Sequence, residues 1–479
     1  MSEKRNEVQR ETVTLMKIEE LGKWLDEKKE AYCRISDRIW ELAELQYREN
    51  GSAFLQAEYL KKQGFSVRTD LAGMETAFVA EWGEGAPVVA ILGEYDALDG
   101  LSQQAGATEC IPIKENGPGH GCGHNLLGTA GVAAAEAVKE YLERNGKKGT
   151  VRYYGCPAEE GGAGKTFMVR EGCFDGVDAA FTWHPSYQNV MFTTGTLANF
   201  QVKFKFKGIS SHAAASPHMG RSALDALELM NVGVNFLREH IVPEARIHYA
   251  IVNTGGTAPN VVQAEAEAIY LVRAPHLEQT REIFDRVVRI AKGAAQMTDT
   301  EMEMEFQTGV SDYIPNGVLT GLAEECFRHF LPMRGISEEN KSYMKALREK
   351  MPFCPMPGEK EEADFILENG YCGGLLPQDG SSAHASTDVG DVSWVVPTAQ
   401  FETACYAYGT PSHSWQRTAQ GKTEIAYEGM MTAAKVMAMA ACRLLEEPLL
   451  LEDARKEHEQ NRGGVKYMSP IPDDVVPQI

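Results

Sequence analysis

Positive charge is what this chain is short of. Its 47 Lys and Arg face 68 Asp and Glu, a formal net charge of −21 at pH 7. Gripping a phosphate backbone needs clustered cations, so no nucleic-acid partner is expected. Long apolar runs are missing as well: no stretch of eighteen apolar residues occurs, and no membrane span is expected. The opening MSEKRNEVQRETVTLMK is polar and lacks the apolar core of a secretion signal. Ten cysteines are scattered without a C-x-x-C pair, a pattern of reduced thiols rather than a disulfide framework. Together these features predict a cytoplasmic protein. The G-x-S-x-G elbow, the G-x-x-x-x-G-K-[ST] loop and the H-E-x-x-H helix are all absent. The glycines of Gly117-Pro118-Gly119, Gly121 and Gly123 lack the spacing of a dinucleotide fingerprint.

The 479 residues, 43% hydrophobic and 24% charged, suffice for two or three globular domains. Residues 1–16 read as a frayed tail. Apolar residues at helical spacing from Ile18 to Leu42 predict a long amphipathic helix, and a second covers about Ser52–Lys62. Strands are expected at Ala77–Trp82, Val88–Gly93, Val151–Gly155 and Ala179–Thr182, and an Ala-rich helix at Leu126–Leu142. Strands alternating with helices predict an α/β fold on a mixed sheet with a parallel core. From about Asn199 the pattern changes. Phe200, Val202, Phe204 and Phe206 alternate with Gln201, Lys203, Lys205 and Lys207, a strand with one wet face. The elements that follow give the order βαββαβ, an inserted α+β, ferredoxin-like domain over 199–312. The main domain is then 17–198 and 313–479. It closes with a strand near Ala399–Tyr408 and a helix at Ile425–Leu445. Residues 335–385, rich in Pro, Gly and charge, read as a long irregular excursion.

The chemistry centres on Gly119-His120-Gly121-Cys122-Gly123-His124, with the pair Glu159-Glu160 thirty-five residues beyond His124. A thiolate, an imidazole and carboxylates suit zinc and related ions. Adjacent carboxylates can divide the work, one coordinating and one free to move a proton. His184, before Pro185, and His413, in Gly409-Thr410-Pro411-Ser412-His413, offer further donors beside Gly or Pro punctuation. Asp96, Glu159, Glu160 and His184 all fall near expected strand ends, where ligands bind in parallel sheets.

The runs GHGCGHNLLGTA, YGCPAEEGGAGKTFMVREG, FTWHP, SSHAAASPHMGRSALDA, GGTAPNVVQAEAEAIYLVRAP, STDVGDVSW and YGTPSHSWQ, in that order, resemble the M20 metallopeptidase/amidohydrolase family. The resemblance runs from about residue 30 to the C-terminus. It implies a metal-dependent amidohydrolase acting on an amide between an acyl or aroyl group and an amino acid. Two divalent ions, Zn or Mn, would be held by Cys122, His124, Glu160, His184 and His413. Glu159 would be the general base, and Asp96 would orient a ligand histidine. The inserted domain would be a lid that forms a homodimer, with a related subunit as a further partner. His212 would reach toward the partner's site and stabilise the oxyanion, and Asn260 and Arg273 would grip the substrate carboxylate. Two alternatives stand beside this: a dipeptidase or deacylase of other N-acyl amino acids, and a subunit active only with a partner. The peptidase branch has His-x-Asp where this chain has Glu94-Tyr95-Asp96, a gap that Cys122 would fill. Asn125 follows His124 where the amidohydrolase branch has Asp. Asp388 and Asp391 are left without an assigned role.

Overall fold

The structure, a computed structural model, describes residues 16–333, 335–352, 354–377 and 385–478. The tail expected over 1–16 lies outside the described residues except for Met16. That residue is buried, and its N–H donates to Asn145 Oδ1 at 3.1 Å.

In chain order the strands are β1 (Ser66–Thr69), β2 (Phe78–Glu84), β3 (Val88–Glu94), β4 (Gly149–Cys156), β5 (Ala179–Ser186), β6 (Asn189–Met191), β7 (Ala198–Lys207), β8 (Arg246–Asn253), β9 (Glu265–Ala274), β10 (Glu301–Val310), β11 (Leu375–Leu376) and β12 (Thr398–Ala404). Eight form one mixed sheet in the order β1-β2-β4-β3-β5-β12-β6-β11. Its centre is parallel, since β3 pairs with β4 and β5, and β5 with β12, all in the same direction. Buried on both faces, these strands read as continuous apolar runs such as Val89–Leu92.

The helix His124–Asn145 packs on β3 against the helices Leu21–Leu42 and Glu424–Glu446. Its alanines and glycines let it lie close to the sheet: a Cβ on Gly131 would sit 2.7 Å from the Tyr153 ring. Leu21, Leu25, Tyr32, Ile35 and Ile39 line the inner face of the first helix, as their spacing predicts. That helix ends where Ala43 turns left-handed at φ 43°.

Strands β7 to β10 form a second sheet, ordered β10-β7-β9-β8, covered by the helices Ala223–Leu237 and Leu277–Thr298. The order is the βαββαβ that the alternating pattern predicts. Phe200, Val202, Phe204 and Phe206 join a hydrophobic cluster made only of residues from this unit. On the wet face Lys205 and Lys207 pair with Glu305 and Glu303 of β10 at 2.5 and 2.6 Å.

Two expectations need correcting. The excursion 335–385 holds two helices, Glu338–Arg348 and Lys360–Asn369, besides β11. Ser337 caps the first by accepting the Asn340 N–H. Met344, Leu347 and Ile366 are turned inward, the first and last in a small core with Tyr371, Cys372 and Ile425. Short helices with so few inward residues leave little periodicity to read. Residues 378–384 of the excursion lie outside the described residues. Second, β5 runs through His184 to Ser186 instead of stopping at Thr182. Its pairing with β12 continues that far, Thr403 opposite Pro185 and Ala404 opposite Ser186.

Candidate active site

The C-terminal ends of β3, β4 and β5 open onto one cavity of about 580 Å³, the crevice that a parallel core creates. Cys122, Glu159, Glu160, His184 and His413 line it, and Arg273 enters it from β9.

Gly123 is the N-cap of the helix that begins at His124, with φ 83°. Only that left-handed turn aims Cys122 and His124 into the same space, and the Tyr406 hydroxyl fills the place of a side chain. A Cβ on Gly123 would stand 2.0 Å from the Tyr406 oxygen. Gly123→Ala is therefore expected to destabilise the fold by about 1–3 kcal/mol, from backbone strain and collision together. Urea unfolding against wild type checks this.

His124 is fully buried, and its Nδ1 lies 2.8 Å from Asp96 Oδ1. The other oxygen of Asp96 accepts the Glu160 N–H at 2.9 Å, so one carboxylate ties the Cys-Gly-His loop to the acidic pair. Among the described residues His124 Nε2 is buried with no hydrogen-bond partner, and so is Glu160 Oε1, 3.8 Å away. Cys122 Sγ stands 3.3 Å from His184 Nε2, whose Nδ1 is held by the Pro185 carbonyl at 2.9 Å. Glu160 Oε2 is 3.3 Å from His413 Nε2. His413 takes the left-handed φ of 50°, and its N–H donates to the Gly121 carbonyl at 3.2 Å. Within this site Cys122, His124 and His184 form one group of close donor atoms, and Cys122, Glu160 and His413 another.

The turn carrying Glu159 and Glu160 is braced from behind. Glu49, wholly buried, accepts the Ala158 N–H at 2.9 Å, and the Tyr47 hydroxyl donates to the Gly162 carbonyl. These bonds hold Ala158 and Ala163 at left-handed φ values of 59° and 56°.

Burial, reinforced by the Glu94 and Glu160 charges, holds the Glu159 carboxyl well above the usual range. Burial also pushes the Cys122 thiol up to about 12, with Glu160 adding to the effect. His184 is driven well below the ordinary imidazole range by burial and by the neighbouring His124 and Arg417 charges. For His124 burial works downward, but Cys122 and Asp96 outweigh it and the net shift is strongly upward. Four carboxylates and a thiol thus converge at one end of the cavity, Glu94, Asp96 and Cys122 buried and Glu159 and Glu160 half-buried.

Of the residues singled out from the sequence, Asp96, Cys122, His124, Glu159, Glu160, His184, His413 and Arg273 come together. His212 and Asn260 do not. Both are exposed on the second sheet's loops, where His212 pairs with Val261 and the Ala213 N–H donates to the Asn260 carbonyl at 2.9 Å. Neither lines the cavity that Arg273 enters, so the Asn260–Arg273 grip is not assembled there within one chain.

Sequence alone assigns no role to Glu94, Lys165 or Asp388. The Lys165 ammonium, fully buried, lies 2.5 Å from Glu94 and 2.6 Å from Asp388. A lone Lys after a glycine run carries no pattern signal, and only the fold brings these three segments together. Asp391 is structural: it accepts from Thr166, Ser311 and Tyr467.

Comparison with known proteins identifies the family. The model of peptidase family M20/M25/M40 matches residues 90–342. The chain is 46% identical to a component of the p-aminobenzoyl-glutamate hydrolase of Escherichia coli (strain K12), over 96% of this chain and 99% of that protein. It is 30% identical to the Xaa-Arg dipeptidase of Mus musculus, over 90% of each chain. Among solved structures, it superposes on a Bacillus subtilis dinuclear metal binding peptidase of the M20 family with a TM-score of 0.56 at 19% identity. That match covers 87% of this chain and 99% of the other, and at such low identity it speaks for the fold alone. The chain belongs to peptidase family M20/M25/M40.

Proposed function

We propose that this chain is a metal-dependent amidohydrolase that cleaves p-aminobenzoyl-glutamate to p-aminobenzoate and glutamate. The observation that carries this is the convergence of Cys122, His124, Glu160, His184 and His413 around Glu159, in a chain 46% identical to a component of a hydrolase of that substrate. The donors fit a pair of divalent ions, Zn or Mn. Imidazole, thiolate and carboxylate suit such ions, and two facing atoms, His124 Nε2 and Glu160 Oε1, are buried without partners. A Cys122 thiol pushed up to about 12 would ligate only if a cation beside it held it as thiolate. When bound, the ions would supply Lewis acidity, polarising the scissile carbonyl and acidifying a water.

This chain's own residues do the rest. Glu159 takes the proton of the attacking water and delivers it to the leaving amine, from a place on the same cavity as the donor set. Asp96 fixes the ring of His124 through Nδ1 and leaves Nε2 as the ligating atom. Arg273 offers a fork to the amino-acid carboxylate, and its Nε, buried without a partner among the described residues, supports an anion received there. Arg273→Ala is expected to raise KM about ten- to a hundredfold with less change in kcat, measured by steady-state kinetics.

Residues 199–312 act in this reading as a separate lid that makes a homodimer. His212 and Asn260 would then enter the partner's cavity, His212 donating to the oxyanion. Their exposure away from their own cavity supports this, as does the edge strand β8 with Tyr249, Ile251 and Val252 exposed. Mixing His212→Ala with Glu159→Ala protomers tests it. A site acting across the interface regains activity in the mixed dimer, whereas two silent parents giving a silent mixture would refute the arrangement.

The 30% identity to a dipeptidase supports a second reading, hydrolysis of dipeptides or other N-acyl amino acids. A panel of N-acyl amino acids and dipeptides with added Zn²⁺ or Mn²⁺ separates the two. Failure of glutamate derivatives where neutral or basic ones are cleaved would sink the first. The E. coli relative is one of the subunits of its hydrolase, so activity only in the presence of a related chain is a further outcome the assay distinguishes.

A further inference from the structure

We propose that Glu94 is a further protein ligand to the ion held by His124, kept in place by Lys165. This rests on the metal-dependent reading above and extends it to a residue outside the expected five.

The geometry begins at His124. Asp96 occupies Nδ1, so Nε2 is the nitrogen left over, and it is buried without a hydrogen-bond partner among the described residues. Glu94 Oε2 stands 3.4 Å from it. Two donors each about 2.1 Å from one ion, at a tetrahedral angle, lie about 3.4 Å apart. The pairs Cys122–His184 and Glu160–His413, both at 3.3 Å, show the same spacing. Donor atoms of Glu94, His124 and Glu159 all fall within 4.8 Å of one another.

Lys165 decides which oxygen of Glu94 is available. Its Nζ takes Oε1 at 2.5 Å and Asp388 Oδ1 at 2.6 Å, and its own backbone N–H donates to Asp388 Oδ2 at 2.8 Å. Held at both ends, the ammonium cannot follow a rotating carboxylate, and Oε2 remains turned toward His124. Charge points the same way. Glu94, Asp388 and Lys165, none more than 2% exposed, sum to one net negative charge when all three are ionised. Burying it is costly unless a cation stands beside it, and His124 Nε2 faces the same space.

The test is Co²⁺ titration of metal-free protein, read by visible absorption and by elemental analysis after gel filtration. Three proteins are compared: wild type, Glu94→Gln, and the double variant Lys165→Met/Asp388→Asn. The double variant keeps Glu94 and the net charge of the trio. Wild type is expected to bind two ions. Glu94→Gln should bind one of them at least about tenfold more weakly, with an altered ligand-field spectrum. The double variant, which keeps the ligand but loses its brace, should still bind two ions, the affected one with a smaller loss of affinity than in Glu94→Gln. Two ions bound by Glu94→Gln with unchanged affinity and spectrum would overturn the assignment. Equal losses in Glu94→Gln and the double variant would overturn it too, making Glu94 a charge partner of Lys165 only. If Glu94→Gln does not fold, Glu94→Asp replaces it, one methylene too short to reach and held to the same outcomes. Wild type binding no Co²⁺ would instead refute the metal-dependent reading itself.

Discussion

Glu159→Ala should lower kcat by about 10²–10⁴-fold while the protein still binds its divalent ions, the loss expected when a positioned proton carrier is removed. Glu159 lines the same cavity as Glu160 and has a donor atom within 4.8 Å of one on His124, whereas Glu160 reaches the ring nitrogens of His124 at 3.8 Å and of His413 at 3.3 Å. The two neighbours are therefore assigned different work. Glu160 faces the imidazoles, and in the proposed reaction Glu159 is the residue left to handle the proton. Steady-state kinetics with metal analysis of the same preparation checks this. Loss of metal together with turnover would show that the base and ligand roles are exchanged. Glu160→Ala, by contrast, should lose metal first.

Cys122→Ala should weaken metal binding by more than about a hundredfold, exceeding what loss of a ligand-orienting partner costs. Cys122 belongs to both close donor groups, with His124 and His184 on one side and Glu160 and His413 on the other. Its removal is expected to affect both ions at once, where loss of His184 or His413 affects one. Competition with a metallochromic chelator gives the affinities. Activity lost on chelation should return with added Zn²⁺ or Mn²⁺ in wild type and fail to return in Cys122→Ala. A variant that binds two ions as tightly as wild type would remove the thiolate from the proposed set.

Some of this was legible from residue order. Gly121 and Gly123 flanking a Cys and a His predict a tight turn presenting two donors, and Gly123 does turn left-handed at the helix start. The alternation from Phe200 to Lys207 named a strand with one wet face, because side chains on a strand alternate strictly. The Leu21–Leu42 helix followed from period alone. Where local pattern was thin, the reading failed. The helices at 338–348 and 360–369 carry too few inward residues to show a period, and β5 extends through His184 because β12 lies beside it.

The sequence by itself determined the fold class, the βαββαβ order of the second sheet's unit and the residue types able to hold a divalent ion. These depend on periodicity, glycine placement and side-chain chemistry, which act over a few residues. Only the tertiary structure decided which of those residues meet. It brought His413 to Glu160 across 253 positions of chain, left His212 and Asn260 outside the cavity of their own protomer, and set Lys165 between Glu94 and Asp388. Such contacts are fixed by strand pairing and helix packing between distant segments. No local pattern records that a lone lysine will be buried between two carboxylates.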